Sequence, residues 1–225
     1  MIIVFVGAPG SGKGTHARRT AERCGLRHVS TGDLLRDAVE RKTDVGLRAK
    51  EYMDAGKLVP DEVMMDLVSE LLDSREGGDG VVFDGFPRTL AQAEGLDRLL
   101  AERGLKVDKA MLVDISEDEA VERMALRISC PKCGAVYNLK SNPPGVEGVC
   151  DKCGGKLEVR SDDREETVRD RFKEFRRQTQ PVIDYYRDRG ILASVRTSGP
   201  VDEVARKVAA ALDGCGDAGG TSEGA

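Results

Sequence analysis

The sequence predicts an α/β fold in which helices cover a mostly parallel β-sheet and a small inserted segment interrupts the alternation of elements. Three observations support this prediction. The first is a continuous apolar run at residues 1–6, which is typical of a strand buried on both faces of a parallel sheet. The second is the alternation of strand-like and helix-like segments along most of the chain. The third is a break in that alternation at residues 128–160, where two cysteine pairs and several turn residues occur.

Each element after the first strand has its own local signal. Residues 15–25 predict a helix that Gly25 ends in the left-handed conformation. A Thr/Asp capping signal opens a helix at 31–42. Apolar residues at helical spacing mark 60–74, with a proline near the first turn. The remaining predicted strands are 27–30, 80–88, 109–116 and 191–195, and the remaining helices are 89–104, 117–127, 162–189 and 201–212.

Composition restricts the class of protein. With 40% hydrophobic residues the chain can bury a core, and 33% charged residues are typical of a soluble protein. A net charge of −5 provides no bulk positive field for phosphates, so a nucleic-acid partner is not expected. The first apolar run is too short for a signal-peptide core, and no later stretch has the length of a membrane span. We therefore expect a cytoplasmic protein with no membrane partner.

A phosphate-binding loop is predicted at residues 7–15, GAPGSGKGT, between the first strand and the first helix. Its glycines let backbone N–H groups approach phosphate oxygens, because a Cβ would block the approach. The helix N-terminus adds partial positive charge, and Lys13 adds a full charge for the β- and γ-phosphates. The general motif has a hydroxyl residue directly after the lysine, whereas here Gly14 precedes Thr15. Either Thr15 takes the hydroxyl role by a small shift, or Mg²⁺ is held mostly by water and phosphate.

Arginines occur at positions suited to phosphate recognition, because a planar guanidinium can hold a phosphate with two hydrogen bonds. Arg88 follows a predicted buried strand, at the carboxyl edge where open α/β sheets bind ligands. Arg123 and Arg127 are four residues apart and are predicted to share one helical face. The other candidate cations are Arg36, on the helix after STGD, and Arg160 and Arg171, which flank the acidic run SDDREE.

A series of segments resembles one known family: GAPGSGKGT, STGDLLR, AGKLVPDEV, FDGFPRTLAQAE and RSDDREETVRDR. By these motifs the chain closely resembles adenylate kinase in its long form, which has an inserted zinc-binding lid. The resemblance covers essentially residues 1–212 in the family's order. It implies reversible, Mg²⁺-dependent transfer of the terminal phosphoryl group of ATP to AMP, giving two ADP, in adenine nucleotide homeostasis.

The resemblance also implies a P-loop core of three layers with a parallel five-stranded sheet, a helical AMP-binding arm and a small β lid. The implied core is 1–29, 60–127 and 161–212, the arm is 30–59, the zinc-binding lid is 128–160, and 213–225 is a tail expected to be disordered. The family is usually monomeric. We therefore expect a monomer whose partners are the small molecules ATP, AMP and ADP.

The resemblance assigns roles to particular positions, among them Asp84, which would orient the water molecules around Mg²⁺. The implied ATP site is Gly10, Ser11, Gly12, Lys13, Gly14, Thr15, Arg127, Arg123 stacked on the adenine, and backbone near Gly199. The implied AMP site is Thr31, Arg36, Lys57, Leu58, Val59, Gly85, Arg88, Gln92, Arg160 and Arg171. The implied catalytic set is Lys13, Asp84, Arg88, Arg127, Arg160 and Arg171, with Asp162 and Asp163 contributing to the lid hinge and its ion pairs.

The chemistry of phosphoryl transfer agrees with a mainly cationic site. It requires alignment of two phosphates and neutralisation of their charge more than covalent chemistry from the protein. The attacking phosphate has a second pKa of about 6, so it is already ionised at neutral pH and needs no general base. The chain's histidines, His16 and His28, accordingly lie outside the catalytic assignments.

Two CxxC pairs, Cys130/Cys133 and Cys150/Cys153, have the spacing of a four-cysteine zinc site. Four thiolates would fill a tetrahedral shell and leave no position for water, so the predicted Zn²⁺ is structural. A segment this short buries too little apolar surface to hold its own fold, and a metal offsets that deficit. Two disulfides, free thiols or an iron–sulfur centre are the alternatives for the same residues.

Three other functions are considered from the sequence. Another nucleoside monophosphate kinase, acting on UMP, CMP or GMP, would use the same core chemistry, and Pro60 stands where a hydroxyl residue often borders the AMP. A nucleic-acid-binding ATPase would use the cysteine segment as a zinc ribbon, although the spacer 134–149 offers only one aromatic residue and one lysine. A structural or regulatory ATP-binding module would need neither Arg88 nor Arg171.

Overall fold

A parallel sheet of five strands forms the centre of the protein, which confirms the predicted fold class. The computed structural model describes residues 1–55, 57–73 and 80–212, and the tail predicted at 213–225 lies outside the described residues. The strands of this sheet are β1 (Ile2–Val6), β2 (Arg27–Ser30), β3 (Val81–Asp84), β4 (Lys109–Asp114) and β7 (Leu192–Arg196). Their order is β2-β3-β1-β4-β7, and every neighbouring pair is parallel.

The central strand β1 is buried along its whole length. Its side chains alternate between two apolar clusters, one containing Ile2, Val4 and Val6 and the other containing Ile3 and Phe5. Because both faces of the strand are covered, its sequence is a continuous apolar run and does not alternate with polar residues. The loop that follows β1 therefore starts from a strand that is packed on both faces.

Helices pack around the sheet, and several of them start at a side chain that caps the helix. They are α1 (Lys13–Cys24), α2 (Thr31–Glu40), α3 (Asp44–Asp54), α4 (Asp61–Asp73), α5 (Leu90–Ala101), α6 (Glu117–Ala125), α7 (Glu165–Glu174), α8 (Gln180–Asp188) and α9 (Val201–Ala211). The side chains of Ser30, Thr43, Thr89 and Ser116 each accept a hydrogen bond from a first-turn N–H, which satisfies a donor that the helix leaves unpaired. Within the described ranges, no helix combines the length and the apolar composition needed to cross a membrane.

Helix α3 lies where the individual element predictions place no helix between 42 and 60. Gly46 in its first turn lowers its helix propensity. The glycine instead allows α3 to pack closely on α2, because a Cβ at this position would lie 2.0 Å from the carbonyl oxygen of Ala38. Helices α2 and α3 therefore form a compact pair within residues 30–59.

The single helix predicted at 162–189 is wrong in detail. The structure has a 3₁₀ turn at Ser161–Asp163, then α7, a π-helical turn at Phe175–Thr179, and α8. Pro181 lies in the first turn of α8 and has no N–H for the regular hydrogen-bond ladder. Thr179, at the end of the π-helical turn, is buried and donates a hydrogen bond of 2.8 Å to the carbonyl oxygen of Arg88. The interruption thus coincides with a contact to the loop after β3.

The cysteine segment folds as a small antiparallel unit. Strand β5 (Arg127–Ser129) pairs with β6 (Val136–Asn138), and isolated bridges link other parts of the segment. The unit has its own apolar cluster, formed by Cys130, Ala135, Tyr137, Cys150 and Leu157. Because two of the cysteines belong to this cluster, anything that holds the cysteines together also holds the cluster together.

Candidate active site

The predicted phosphate loop lies between the end of β1 and the start of α1. Gly10 and Gly12 have φ angles of 76° and 83°, in the left-handed region that disfavours side chains. A Cβ on Gly10 would also lie 2.9 Å from the carbonyl oxygen of Ala120 in α6. Gly12 is the N-cap residue of α1, and Lys13 is the first residue of the helix. The loop therefore precedes a helix N-terminus whose unpaired N–H groups and partial positive charge favour phosphate.

Lys13 is the charged side chain of this loop. Burial lowers the pKa of Lys13, Asp84 raises it, and the nearby cations Arg88, Arg171 and Arg127 lower it, so that the net value is about 7. An approaching phosphate would restore the proton, because a nearby negative charge favours the charged form of lysine. The other loop side chains differ in exposure, since Ser11 is fully buried and Thr15 is exposed on α1.

Asp84 lies at the carboxyl end of β3, where it is 9% exposed. A Cβ on Gly14 would lie 2.8 Å from the Oδ2 atom of Asp84, so a glycine after Lys13 leaves room for this carboxylate. Mg²⁺ is usually bound through one or two carboxylates, phosphate oxygens and water. A carboxylate beside a phosphate loop therefore fits a Mg²⁺ ion that arrives with a nucleotide.

A cleft opens beside the phosphate loop, next to the α2–α3 pair and α7. Lys13 and Arg171 line it together, so the loop lysine and a guanidinium face one space. Most of the predicted AMP-site residues also line it: Thr31, Arg36, Lys57, Leu58, Val59, Gly85, Arg88 and Gln92. Apolar side chains complete the wall: Leu35, Met53, Met64 and Phe175. The cleft thus offers an apolar surface for a base and cations for a phosphate.

The loop after β3 fixes the position of Arg88. Gly85 has a φ of 76°, and its carbonyl oxygen accepts hydrogen bonds from Arg88 Nε (2.7 Å) and Thr31 Oγ1 (3.0 Å). Burial and then the neighbouring Arg171 lower the pKa of Arg88 to about 10, which leaves the guanidinium charged at neutral pH. Arg88 is therefore both positioned and charged in the absence of a phosphate.

Carboxylates accompany two other arginines of the cleft. Arg171 Nη1 donates to the carboxylate (2.7 Å) and the carbonyl oxygen (3.1 Å) of Asp162. Burial raises the pKa of Asp162, but Arg171 and further arginines lower it, and the net shift is downward. Arg36 donates to the carboxylate of Asp33 one helical turn away. These carboxylates balance positive charge that a polyphosphate would otherwise neutralise.

Arg127 and Arg160 lie where the chain enters and leaves the cysteine segment. The prediction that Arg123 and Arg127 share one helical face is wrong, because α6 ends at Ala125 and Arg127 belongs to β5. Arg127 Nε donates to Asp163 (2.7 Å). Burial, followed by repulsion from Arg36 and Arg127, lowers the pKa of Arg160 to about 10. The guanidiniums of Arg36, Arg127 and Arg160 therefore repel one another, and a bound anion would stabilise this cluster.

Arg123 lies next to the loop after β7. Its Nη1 atom donates to the hydroxyl of Thr197 (3.1 Å), and its Nη2 atom donates to the carbonyl oxygen of the same residue. The Thr197 hydroxyl in turn donates to the carbonyl oxygen of Asp114 at the end of β4 (3.0 Å). Gly199 follows in the same loop with a φ of 104°. The structure therefore places Arg123 and the Gly199 loop close together at the carboxyl edge of the sheet.

The four cysteine sulfurs converge on one point. All four Sγ atoms lie within 4.8 Å of one another, and the Cys130–Cys153 and Cys133–Cys150 distances are 3.5 Å. Four sulfurs at about 2.3 Å from one Zn²⁺ ion would be roughly 3.8 Å apart in a tetrahedron. The geometry and the donor set therefore fit a structural zinc ion.

A hydroxyl group next to the sulfurs favours a thiolate. The Tyr137 oxygen accepts a hydrogen bond from the Asp151 N–H (2.9 Å) and lies 3.5 Å from the Sγ atom of Cys150. The hydrogen bond that the Tyr137 hydroxyl donates to Cys150 Sγ is the main cause that lowers the pKa of the Cys150 thiol to about 6. Thiolate is the form of cysteine that binds metal, so the contact supports the same conclusion as the geometry.

Asp61, Thr89 and Thr179 lie near the cleft but receive no site role in the sequence analysis. Gln92 Nε2 donates to Asp61 Oδ1 (2.7 Å), and Thr89 Oγ1 donates to Asp61 Oδ2 (2.9 Å). Thr179 holds the Arg88 carbonyl, as described above. The sequence places Asp61 at a helix start and in the segment AGKLVPDEV but gives it no contact, because its partners Thr89 and Gln92 lie far away in the chain.

Comparisons with known proteins agree with these observations. The family model described as adenylate kinase matches residues 5–191. An adenylate kinase of Archaeoglobus fulgidus is 48% identical over 213 residues, which cover 95% of this chain and 98% of the relative. One of Thermodesulfovibrio yellowstonii is also 48% identical, with 95% and 99% covered. One of Novosphingobium aromaticivorans is 47% identical, with 94% and 99% covered.

Proposed function

This chain belongs to the adenylate kinase family of phosphotransferases, and from that premise we propose that its cleft aligns the phosphate of AMP with the terminal phosphate of ATP. Transfer of that phosphoryl group gives two ADP. The phosphate loop would hold ATP, and the cleft lined by Thr31, Arg88 and Gln92 would hold AMP. Nothing in the family match or in the named relatives favours the alternative, a kinase for other nucleoside monophosphates.

One observation supports this proposal above the others. Lys13 of the phosphate loop lines the same cleft as Arg88 and Arg171. Two anionic phosphates brought together repel each other, and cations aimed at the space between them offset that repulsion. A module that only binds ATP would not require Arg88 and Arg171 in the same cleft as the loop lysine.

The residues of the chain would act by binding and orientation. Arg88 and Arg36 would hold the AMP phosphate, which is ionised because its second pKa is about 6, so no side chain has to remove a proton. Arg127, Arg160 and Arg171 would neutralise charge on the transferring group. Arg171 would exchange its contact with Asp162 for a phosphate contact, whereas Arg127 would keep Asp163 as its partner and offer its remaining N–H groups to the phosphate.

On the ATP side, the helix N-terminus and Lys13 would bind the β- and γ-phosphates. Mg²⁺, which would arrive with ATP, would supply positive charge that offsets the negative charge of the phosphates. Asp84 would hold its water molecules, for which Gly14 leaves room. Arg123 and the backbone at Gly199 would border the adenine of ATP.

The cysteine segment 128–160 would serve as a lid that a structural zinc ion holds as one body, while residues 30–59 would form the AMP-binding arm. A rigid lid could exclude water and carry Arg127 and Arg160 towards the phosphates as it closes. The core would then comprise 1–29, 60–127 and 161–212. A monomeric state and a cytoplasmic location stay predictions from the sequence, for which sedimentation and cell fractionation are the tests.

A two-substrate assay tests the proposed function. With ATP and Mg²⁺, transfer to AMP should exceed transfer to UMP, CMP and GMP. Arg88→Ala should lower the rate by about 10²-fold or more, which corresponds to about 2.7 kcal/mol of lost transition-state stabilisation. Arg98→Ala, an exposed arginine on α5, is the matched control and should leave the rate nearly unchanged. Faster transfer to UMP, or full activity of a folded Arg88→Ala variant, would contradict the proposal.

A further inference from the structure

The amide of Gln92 is held from two sides by groups of opposite hydrogen-bonding character. Its Oε1 atom accepts a hydrogen bond from the backbone N–H of Arg88 (2.8 Å), and its Nε2 atom donates to the Asp61 carboxylate (2.7 Å). A backbone N–H can only donate, and an ionised carboxylate can only accept. The two neighbours therefore require one orientation of the amide and exclude the orientation rotated by half a turn.

From this arrangement we infer that Asp61 is a positioning residue for selection of the acceptor base. Asp61 fixes the orientation of the Gln92 amide. In that orientation the donor and acceptor of the amide match those of a 6-aminopurine and do not match those of a 6-oxopurine. The inference rests on the proposed function, since it requires that the base of the acceptor nucleotide lies in the cleft that Gln92 lines.

Asp61 is itself held in place. It lies in the first turn of α4, and its second carboxylate oxygen accepts a hydrogen bond from the hydroxyl of Thr89 (2.9 Å). Thr89 is the N-cap of α5, and its oxygen also accepts a hydrogen bond from the Gln92 N–H (3.1 Å). The carboxylate, the cap and the amide thus form a closed set of contacts that joins the starts of two helices. A residue held in this way can hold another in a defined orientation.

The remaining hydrogen-bonding capacity of Gln92 matches adenine. An amide nitrogen has two hydrogens and an amide oxygen has two lone pairs, so one of each remains after the contacts with Asp61 and Arg88. Gln92 is 2% exposed and lines the cleft together with Lys57, Leu58 and Val59. The Watson–Crick edge of adenine carries a donor at N6 and an acceptor at N1, which pair with the free lone pair and the free hydrogen.

A 6-oxopurine carries the reverse pattern, with an acceptor at O6 and a donor at N1. To pair with it, the Gln92 amide would have to rotate by half a turn. Rotation would bring Oε1 against the Asp61 carboxylate and the NH₂ group against the Arg88 N–H. Buried groups without a matching partner are strongly disfavoured. The contacts of the amide with Asp61 and Arg88 would therefore make binding of a 6-oxopurine weaker than binding of a 6-aminopurine.

The test compares AMP with IMP, which differs from AMP at the 6-position and the N1 proton. In Asp61→Asn the side chain can donate or accept, so one of the two restraints on the amide is lost. The ratio of kcat/KM for AMP to that for IMP should fall by about tenfold or more. The change should arise mainly in KM, because the phosphate-binding arginines are unaltered. A structural defect alone would lower both activities together and leave the ratio unchanged.

Glu62→Gln is the matched control, because Glu62 is the next residue, is exposed, and lies in the same first turn of α4. It loses the same charge at the same helix N-terminus, so its ratio should equal that of the wild type. If Asp61→Asn does not fold, Asp61→Ala provides the same comparison and should also lower the ratio. An unchanged ratio in a folded Asp61 variant would overturn this inference alone. Absence of AMP phosphorylation by the wild type would instead overturn the proposed function, and this inference with it.

Discussion

Arg127 and Asp163 form a two-pronged ion pair between the points where the chain enters and leaves the cysteine segment. Arg127 is the first residue of β5, and Asp163 ends the 3₁₀ turn before α7. Nε and Nη2 of the arginine donate to the two carboxylate oxygens, and the aspartate side chain is 0% exposed. A carboxylate without access to water depends on this partner, so the pair connects the base of the segment to the core.

The first prediction concerns this ion pair. Asp163→Ala should lower the free energy of unfolding by about 3–5 kcal/mol, because it leaves the largely buried guanidinium of Arg127 without its partner. Urea unfolding followed by circular dichroism measures the change. Asp163→Asn keeps the shape and one acceptor, so it should lose less than the alanine variant.

Asp37→Ala is the control for that measurement, because the Asp37–Arg41 pair is exposed and joins a residue of α2 to the C-cap residue one turn later. An exposed pair of this kind contributes up to about 1 kcal/mol. Equal losses in the two alanine variants would show that burial of the Arg127–Asp163 pair has no effect on stability.

The second prediction concerns the proton on Lys13. The pKa of Lys13 is lowered to about 7 from a usual 10.5, so above neutral pH the free protein holds this lysine largely uncharged. Bound phosphates raise the pKa again. At about pH 8, binding of ATP should therefore take up about one proton per chain, and the uptake should decline as the pH falls towards and below 7, where Lys13 is already charged.

Isothermal titration calorimetry in buffers of different ionisation enthalpy measures this uptake. Lys13→Met should abolish it, whereas Lys207→Met, which removes an exposed lysine of α9, should not. The same lowered pKa has a consequence for stability. The folded protein binds fewer protons than the unfolded chain between about pH 7 and 10.5, so stability from this group is lost as the pH falls through that window. Proton release on binding near pH 8 would contradict the assignment.

The third prediction concerns metal in the cysteine segment. Purified protein should contain about one zinc ion per chain, and chelation should unfold the segment 128–160 before the core. Cys130 and Cys150 belong to the apolar cluster of the segment, so loss of the metal also separates the side chains packed around them. Metal analysis and scanning calorimetry give the two readouts, with a low-temperature transition expected after chelation.

Cys150→Ser should lose the metal, and Lys132→Ser should keep it. Lys132 is exposed and lies between the first two cysteines, so its substitution alters the same turn without removing a sulfur. Iron in place of zinc, or no stoichiometric metal in the wild type, would refute a structural zinc site.

Much of the fold, the phosphate loop and the cysteine pairs follow from local sequence. The apolar strand, the glycine loop and the helix predicted at 15–25 are adjacent in the chain, so their signal lies in one short window; the structure starts that helix at Lys13. The spacing of the cysteine pairs similarly predicts a site whose sulfurs the structure brings within 4.8 Å of one another. The parallel sheet follows from the alternation of elements, because parallel neighbours require crossover connections.

Other features were decided by packing and by contacts across the fold. Helix α3 forms although Gly46 lowers its helix propensity, and the same glycine leaves room for α3 to pack on α2. The π-helical turn before α8 is accompanied by the Thr179–Arg88 hydrogen bond, across 91 positions of sequence. Asp61 meets Gln92 across 31 positions, and nothing near either residue predicts the meeting.

The sequence alone determined the fold class, the phosphate loop and the candidate cysteine site, because each depends on residues close together in the chain or on the order of elements. Only the tertiary structure decided which carboxylate faces which guanidinium, where the long helix is interrupted, and what holds the Gln92 amide. The physical reason is that hydrogen bonds and ion pairs act over a few ångströms in space. The separation of two residues along the chain does not predict the distance between them in the folded protein.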